Sequence, residues 1–128
     1  MKKRIALIED DEILSNRLCA GLNDAGFDVS VAFDGEEGLK LIETLKPDLI
    51  LLDILMPIMD GLTMMNTLRQ KDLYGKNVPI ILLTNLSASE EKIMQAVTKN
   101  EPAYYLVKSD WNLSAVMEKI KERLARKV

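Results

Sequence analysis

Three stretches of the chain are aliphatic without interruption: Ile5-Ala6-Leu7-Ile8, Leu49-Ile50-Leu51-Leu52 and Ile80-Ile81-Leu82-Leu83. Each is short, and each stops at a polar residue, at Glu9, Asp53 and Thr84 respectively. Runs of this kind predict strands buried on both faces. Two other stretches are mixed. Val29, Val31 and Phe33 alternate with polar neighbours, the signature of a half-exposed strand. Tyr104-Tyr105-Leu106-Val107 reads as a fifth strand, ending at Lys108.

Between the strands the apolar spacing becomes helical. Leu14, Leu18 and Leu22 share one stripe, with Gly26 just past its end as a C-cap. Asp34 with Glu37 three residues on resembles a capping box, opening a helix that carries Leu39, Ile42 and Leu45 and stops at Pro47. Met56-Pro57 forces an extended backbone, and Asp60-Gly61 then opens a helix with Leu62, Met65 and Leu68 inward. Ser87 and Glu90 form a further capping box ahead of Ile93 and Val97. Asn112 is the expected N-cap of a last helix showing Leu113, Val116, Met117, Ile120 and Leu124.

Five strands alternating with five helices predict an α/β domain with a parallel sheet. The all-apolar strands belong at its centre and the mixed second and fifth at its edges. With right-handed crossovers this favours the order 2-1-3-4-5 and a switch point between strands one and three. No repeat or linker interrupts the pattern, and 128 residues suit one domain over 1–128.

Charge and composition narrow the function. A net charge of −3 and a pI near 5.0 argue against direct contact with nucleic acid. Arg123, Arg126 and Lys127 cluster near the end, where cations favour the helix dipole. The absence of histidine excludes His-based triads and His-ligated metals. Cys19 stands alone, so no internal disulfide forms, and its helical position predicts a small buried hydrophobe. Met1-Lys2-Lys3-Arg4 resembles the start of a signal peptide, but the apolar run after it is too short for a signal or a membrane span. A cytoplasmic location is expected.

The predicted strand ends deliver Glu9, Asp10, Asp53, Thr84 and Lys108 to one edge of the sheet, where open parallel sheets bind ligands. Each alone has an ordinary reading as a cap, a solvated loop residue or a counter-charge. Together they would be an odd accident. Three carboxylates in one crevice repel by roughly 4 kcal/mol per pair at ~4 Å and an effective dielectric of about 20. A cation among them relieves this, and oxygen ligands without His or Cys select a hard ion such as Mg²⁺. A carboxylate beside Mg²⁺ and a fixed ammonium can act as a nucleophile toward phosphorus. The metal, Lys108 and the Thr84 hydroxyl then stabilise the oxygens of the transferring phosphoryl group.

These residues resemble the receiver domain of two-component response regulators, of the chemotaxis-type single-domain kind, over essentially the whole chain. The matching motifs are Ile8-Glu9-Asp10-Asp11, the long stretch from Pro47 through Asp53 to Asp60-Gly61, Leu83-Thr84, and Tyr105-Leu106-Val107-Lys108. The resemblance implies a flavodoxin-like (βα)5 fold that accepts a phosphoryl group on Asp53 from a sensor histidine kinase or histidine phosphotransfer protein. It implies Mg²⁺ held by Asp10, Asp53 and the Leu55 carbonyl, with Glu9 acting through water. Asp11 falls outside the acidic pair and is expected to cap a helix. Thr84 and Lys108 would contact the phosphoryl group, Tyr105 would be the aromatic switch, and Tyr104 would only pack. The output surface implied is the helix after the fourth strand, the fifth strand and the last helix, on a monomer or a phosphorylation-dependent dimer. Such a domain is not an enzyme beyond assisting its own phosphorylation and dephosphorylation.

Two positions depart from the family pattern. Asn85 stands where a small residue is usual and bears on phosphoryl entry and lifetime. Ser109 stands where Pro usually follows the lysine, so a trans Lys108-Ser109 peptide is expected, because a cis bond to a non-proline residue costs roughly 3–4 kcal/mol. Trp111 would anchor that loop. Other readings are a degenerate receiver acting as a phosphorylation-independent binding module, a flavin-binding protein, and an Asp-nucleophile phosphatase. Four acids after the first strand oppose the flavin, and Leu55 stands where such phosphatases commonly carry a second Asp. With no output domain read after the last helix, a stand-alone receiver or a fragment is expected.

Overall fold

The computed structural model describes residues 2–54, 56, 58–84, 103–107 and 112–125, with the side chains of 84 and 103–107 excepted. Among the described residues five strands are present: β1 (Arg4–Ile8), β2 (Asp28–Ala32), β3 (Leu49–Asp53), β4 (Ile80–Thr84) and β5 (Ala103–Val107). They form one parallel sheet in the order β2-β1-β3-β4-β5, as the crossover argument expects. Among the described residues the helices are α1 (Glu12–Asp24), α2 (Gly35–Leu45), α3 (Gly61–Lys71), a short α4 (Leu73–Asn77) and α5 (Leu113–Ala125). None of these is long and apolar enough to cross a membrane.

The aliphatic strands are buried on both sides because alternate residues feed two different cores. Ala6, Ile8, Ile50, Leu52, Ile80 and Leu82 face Ile42, Met64, Met65 and Leu68 on one side of the sheet. Ile5, Leu7, Leu49, Leu51, Ile81 and Leu83 face Leu18, Leu22, Val116 and Ile120 on the other. Each Leu, Ile, Val or Met side chain among them contributes about 1.5–3 kcal/mol on leaving water. This rigid double core holds the ends of β1, β3 and β4 in register.

Caps fix where the helices begin. The side chains of Asp11, Asp34, Asp60 and Asn112 accept from the amides of Leu14, Glu37, Thr63 and Ala115 at 3.1, 2.8, 2.8 and 2.9 Å. Glu37 reaches back to the Phe33 amide at 3.3 Å, one residue before the cap, so the capping box is only approximate. The chain leaves α1 through Gly26 at φ 96, with Ala25 as the C-cap. It leaves α2 through Lys46 at φ 45, without a glycine.

Several positions differ from expectation. Phe33 lies beyond β2 and is 47% exposed, because the strand ends at Ala32, where the chain turns into the α2 cap. Met64 is fully buried and Leu62 only partly, since α3 aims its Gly61, Met64, Met65 and Leu68 face at the sheet. Leu113 is exposed because it begins α5 and lies over Gly21 of α1 at the surface. Cys19 is half-buried, and its Sγ accepts a hydrogen bond from the Asn23 side-chain Nδ2 at 3.4 Å. The short helix α4 was not anticipated. Asp72 caps it through the Gly75 amide at 2.7 Å. The helix expected around Ser87, Glu90, Ile93 and Val97 lies outside the described residues, as do Asn85, Ser109 and Trp111.

Candidate functional site

The site is built from the ends of two neighbouring strands. β1 and β3 pair with Ile8 opposite Leu52, so the next residue of each, Glu9 and Asp53, emerges at the same sheet edge. The Glu9 amide donates to the Ala32 carbonyl at 3.0 Å, which prolongs the pairing with β2 by one residue. Its carboxylate is fully buried and accepts from the Asp11 amide at 3.2 Å. Asp53 is 4% exposed, and the Ile54 amide after it donates to the Leu83 carbonyl at 3.2 Å, pinning this end of β3 to β4. Asp10 is exposed at the mouth.

One carboxylate oxygen from each of Glu9, Asp10 and Asp53 lies within 4.8 Å of the others. At that spacing two charges repel by roughly 3.5 kcal/mol per pair if the effective dielectric is about 20, and solvent at Asp10 reduces this. The donor set is oxygen only, with two members buried and held by the backbone. That chemistry fits a hard divalent cation that keeps some of its own water. Asp11, the fourth acid of the run, is turned away from the crevice by its capping bond, as expected.

Across the loop from β3 to α3, the residue after Asp53 is tied to the start of α3. The Ile54 carbonyl accepts from the Gly61 amide at 2.8 Å, which ties the strand end to the first turn of α3. Within the loop Ile58 has φ 70 and is 76% exposed, an unusual pairing for a β-branched residue. Reading Asp60-Gly61 only as a helix start missed this tie. The close approach of two backbones leaves no trace in hydrophobic pattern, although a glycine directly after a capping Asp was its one visible sign.

β4 ends at Thr84, paired with Val107 at the end of β5, and Tyr105 pairs with Leu82. The backbones of Thr84 and Val107 therefore reach the same edge as Asp53, which is opposite Leu83. The side chains of Thr84, Tyr104 and Tyr105, all of Lys108 and the Leu55 carbonyl lie outside the described residues. So does the Lys108-Ser109 peptide.

Comparison with known proteins agrees with this arrangement. The chain is 40% identical over 94 residues to the alkaline phosphatase synthesis transcriptional regulatory protein PhoP of Bacillus subtilis, which covers 73% of this chain and 38% of that protein. It thus spans less than half the length of this curated relative. A putative response regulator from Chloroflexus aurantiacus superposes with a TM-score of 0.86 at 30% identity, covering 98% of this chain and 100% of that one. The receiver domain of the Francisella response regulator 1452 gives a TM-score of 0.84 at 28% identity, covering 96% and 97%. The family model for the response regulator receiver domain matches residues 5–121, which include both strand ends that build the acidic crevice. By its sheet order, its acid cluster and this match, the chain belongs to the response regulator receiver domain family.

Proposed function

We propose that Asp53 is the phosphoacceptor of a two-component phosphorelay. The observation that carries this is the convergence of the Glu9, Asp10 and Asp53 carboxylates within 4.8 Å at the switch point of the sheet. An Asp53 carboxylate oxygen attacks phosphorus in a phosphohistidine of a sensor histidine kinase or histidine phosphotransfer protein. The new O–P bond forms as the P–N bond breaks, and the released imidazole nitrogen takes up a proton. Asp10, Asp53 and the Leu55 carbonyl would hold Mg²⁺, with Glu9 acting through water. When bound, that ion supplies positive charge against the phosphoryl oxygens.

Glu9 is suited to an outer role, since its carboxylate is fully buried and tied to the Asp11 amide. Asp10, exposed at the mouth, is suited to direct ligation. Thr84, the last residue of β4, and Lys108, next in sequence after β5, are proposed to contact the phosphoryl group, with Thr84 and Tyr105 relaying its arrival. The protein works as a switch and not as an enzyme, beyond assisting gain and loss of its own phosphoryl group. The proposed output surface is the segment after β4 together with β5 and α5, docking a downstream protein.

Incubation with acetyl phosphate and Mg²⁺ tests the reading. Intact mass should show one added phosphoryl group, absent in Asp53→Asn. No addition, or addition that persists in the variant, would overturn it.

A further inference from the structure

The chain passes from β3 to α3 under a steric constraint at Gly61. A Cβ atom there would overlap the Asp53 carbonyl oxygen and stand 3.0 Å from both the Asp53 carbonyl carbon and the Ile54 Cα. Only glycine lets the first turn of α3 close on this peptide while its amide donates to the Ile54 carbonyl at 2.8 Å. From the other side, a Cβ at Gly35 would stand 2.8 Å from the Met59 carbonyl oxygen. The loop that follows Asp53 is therefore gripped between the first turns of two helices.

We infer, on the phosphoacceptor reading above, that Gly61 is a positioning residue for the reaction. By seating α3 against the Asp53-Ile54 peptide it fixes the backbone from which the Asp53 carboxylate reaches those of Glu9 and Asp10. An aspartate has two side-chain torsions, so its carboxylate follows its backbone closely. At 4% exposure Asp53 has little room to swing and compensate. Mg²⁺ in turn demands near-ideal octahedral placement of its ligands. A shift of the Asp53 peptide by a fraction of an ångström is thus passed to the metal and to the line of phosphoryl transfer.

A matched pair of variants separates this role from ordinary packing. Gly75 in α4 also sits where a Cβ would overlap a backbone carbonyl, that of Leu68, late in α3 and remote from the acids. Gly61→Ala and Gly75→Ala should both lower stability in urea unfolding. Only Gly61→Ala should weaken Mg²⁺ binding in calorimetry and slow phosphorylation by acetyl phosphate, by about tenfold to a hundredfold. In the metal-free proteins, the amide resonances of Asp53 and Ile54 should move in Gly61→Ala and stay in Gly75→Ala. If Gly61→Ala binds Mg²⁺ and takes up the phosphoryl group as the unaltered protein does, the inference is wrong. Should Gly61→Ala not fold, Gly35→Ala, a milder push on Met59, decides: weaker Mg²⁺ binding supports the grip on this loop and unchanged binding overturns it. An unaltered protein that takes neither Mg²⁺ nor a phosphoryl group sinks the phosphoacceptor reading, and this inference with it.

Discussion

Ile58 and Tyr74 are two described residues at which local physics departs from the ordinary. Ile58 holds φ 70 with its side chain 76% exposed, so it bears left-handed strain without a burial gain that offsets it. Such a conformation costs about 1–2 kcal/mol for a residue with a Cβ. Ile58→Gly should therefore stabilise the fold by about 1 kcal/mol, the extra freedom of glycine in the unfolded chain taking back part of the gain. A denaturation midpoint at or below that of the unaltered protein would contradict this. Tyr74 donates from its hydroxyl to the Pro47 carbonyl at 2.5 Å. Its phenol is pushed well above the usual range, by burial first and then by Asp48 and Asp72. A folded pKa above the unfolded one gives stability that is fully present below the unfolded value, about 10, and is lost as pH rises toward the folded value. Arg69, pushed down to about 10 by burial and by Arg123, acts in the opposite sense over that range. The difference between Tyr74→Phe and the unaltered protein isolates the phenol. The variant should be less stable at pH 7 by about 1 kcal/mol for the lost hydrogen bond, and melting curves should converge above pH 10.

At the level of elements, what could be read from sequence depended on whether burial or backbone geometry set the boundary. β1, β3 and β4 were legible because each is covered on both faces, so the buried run of each (from Ile5, Leu49 and Ile80) carries no polar residue until the strand end. Asp11, Asp34, Asp60 and Asn112 were legible as starts or caps because a short side-chain acceptor is what an exposed amide turn requires. β2 was overrun at Phe33, since alternation continues for one residue after pairing stops. The short α4 was invisible. Leu73 is 77% exposed, so no stripe marks the helix. It is held instead by Asp72 and by Arg69, whose guanidinium donates to the carbonyls of Gly75 and Val78 at 2.7 Å each. These are contacts between neighbours in space that hydropathy does not record. The same reasoning assigns a measurable role to Asp60. Asp60→Ala leaves the Thr63 amide without its cap and should cost about 1 kcal/mol. Hydrogen exchange at that amide should accelerate more than exchange at Met65, and equal acceleration at both would show that the cap is not the local support inferred.

For the whole molecule, the acid crevice is a standing electrostatic cost that the double core sustains. Two carboxylates at 0% and 4% exposure, with a third at the mouth, gain nothing from hydrophobic burial. Their convergence was legible because a parallel sheet forces successive strand ends to one edge, so knowing where the apolar runs stop was enough. The grip of Gly61 on the same site was not, because close approach of backbones appears only in three dimensions. If this cost is there to bind Mg²⁺, stability must be linked to the ion, which binds the folded crevice and not the unfolded chain. At a hundredfold excess over Kd the gain is about 2.7 kcal/mol, and for a domain of this size about 4 °C of Tm accompanies each kcal/mol. Melting should therefore rise by about 10 °C in saturating Mg²⁺. Asp10→Asn should separate the two halves of the effect. Removing the exposed carboxylate relieves repulsion, so the metal-free variant should melt higher than the metal-free unaltered protein. The same change removes a proposed direct ligand, so the rise on adding Mg²⁺ should shrink. Salt gives a further check, because screening acts on the exposed Asp10 far more than on the buried pair. Added NaCl should narrow the gap between the metal-free proteins. Melting of the unaltered protein indifferent to millimolar Mg²⁺, or an Asp10→Asn variant that keeps the full rise, would remove the metal assignment from this crevice.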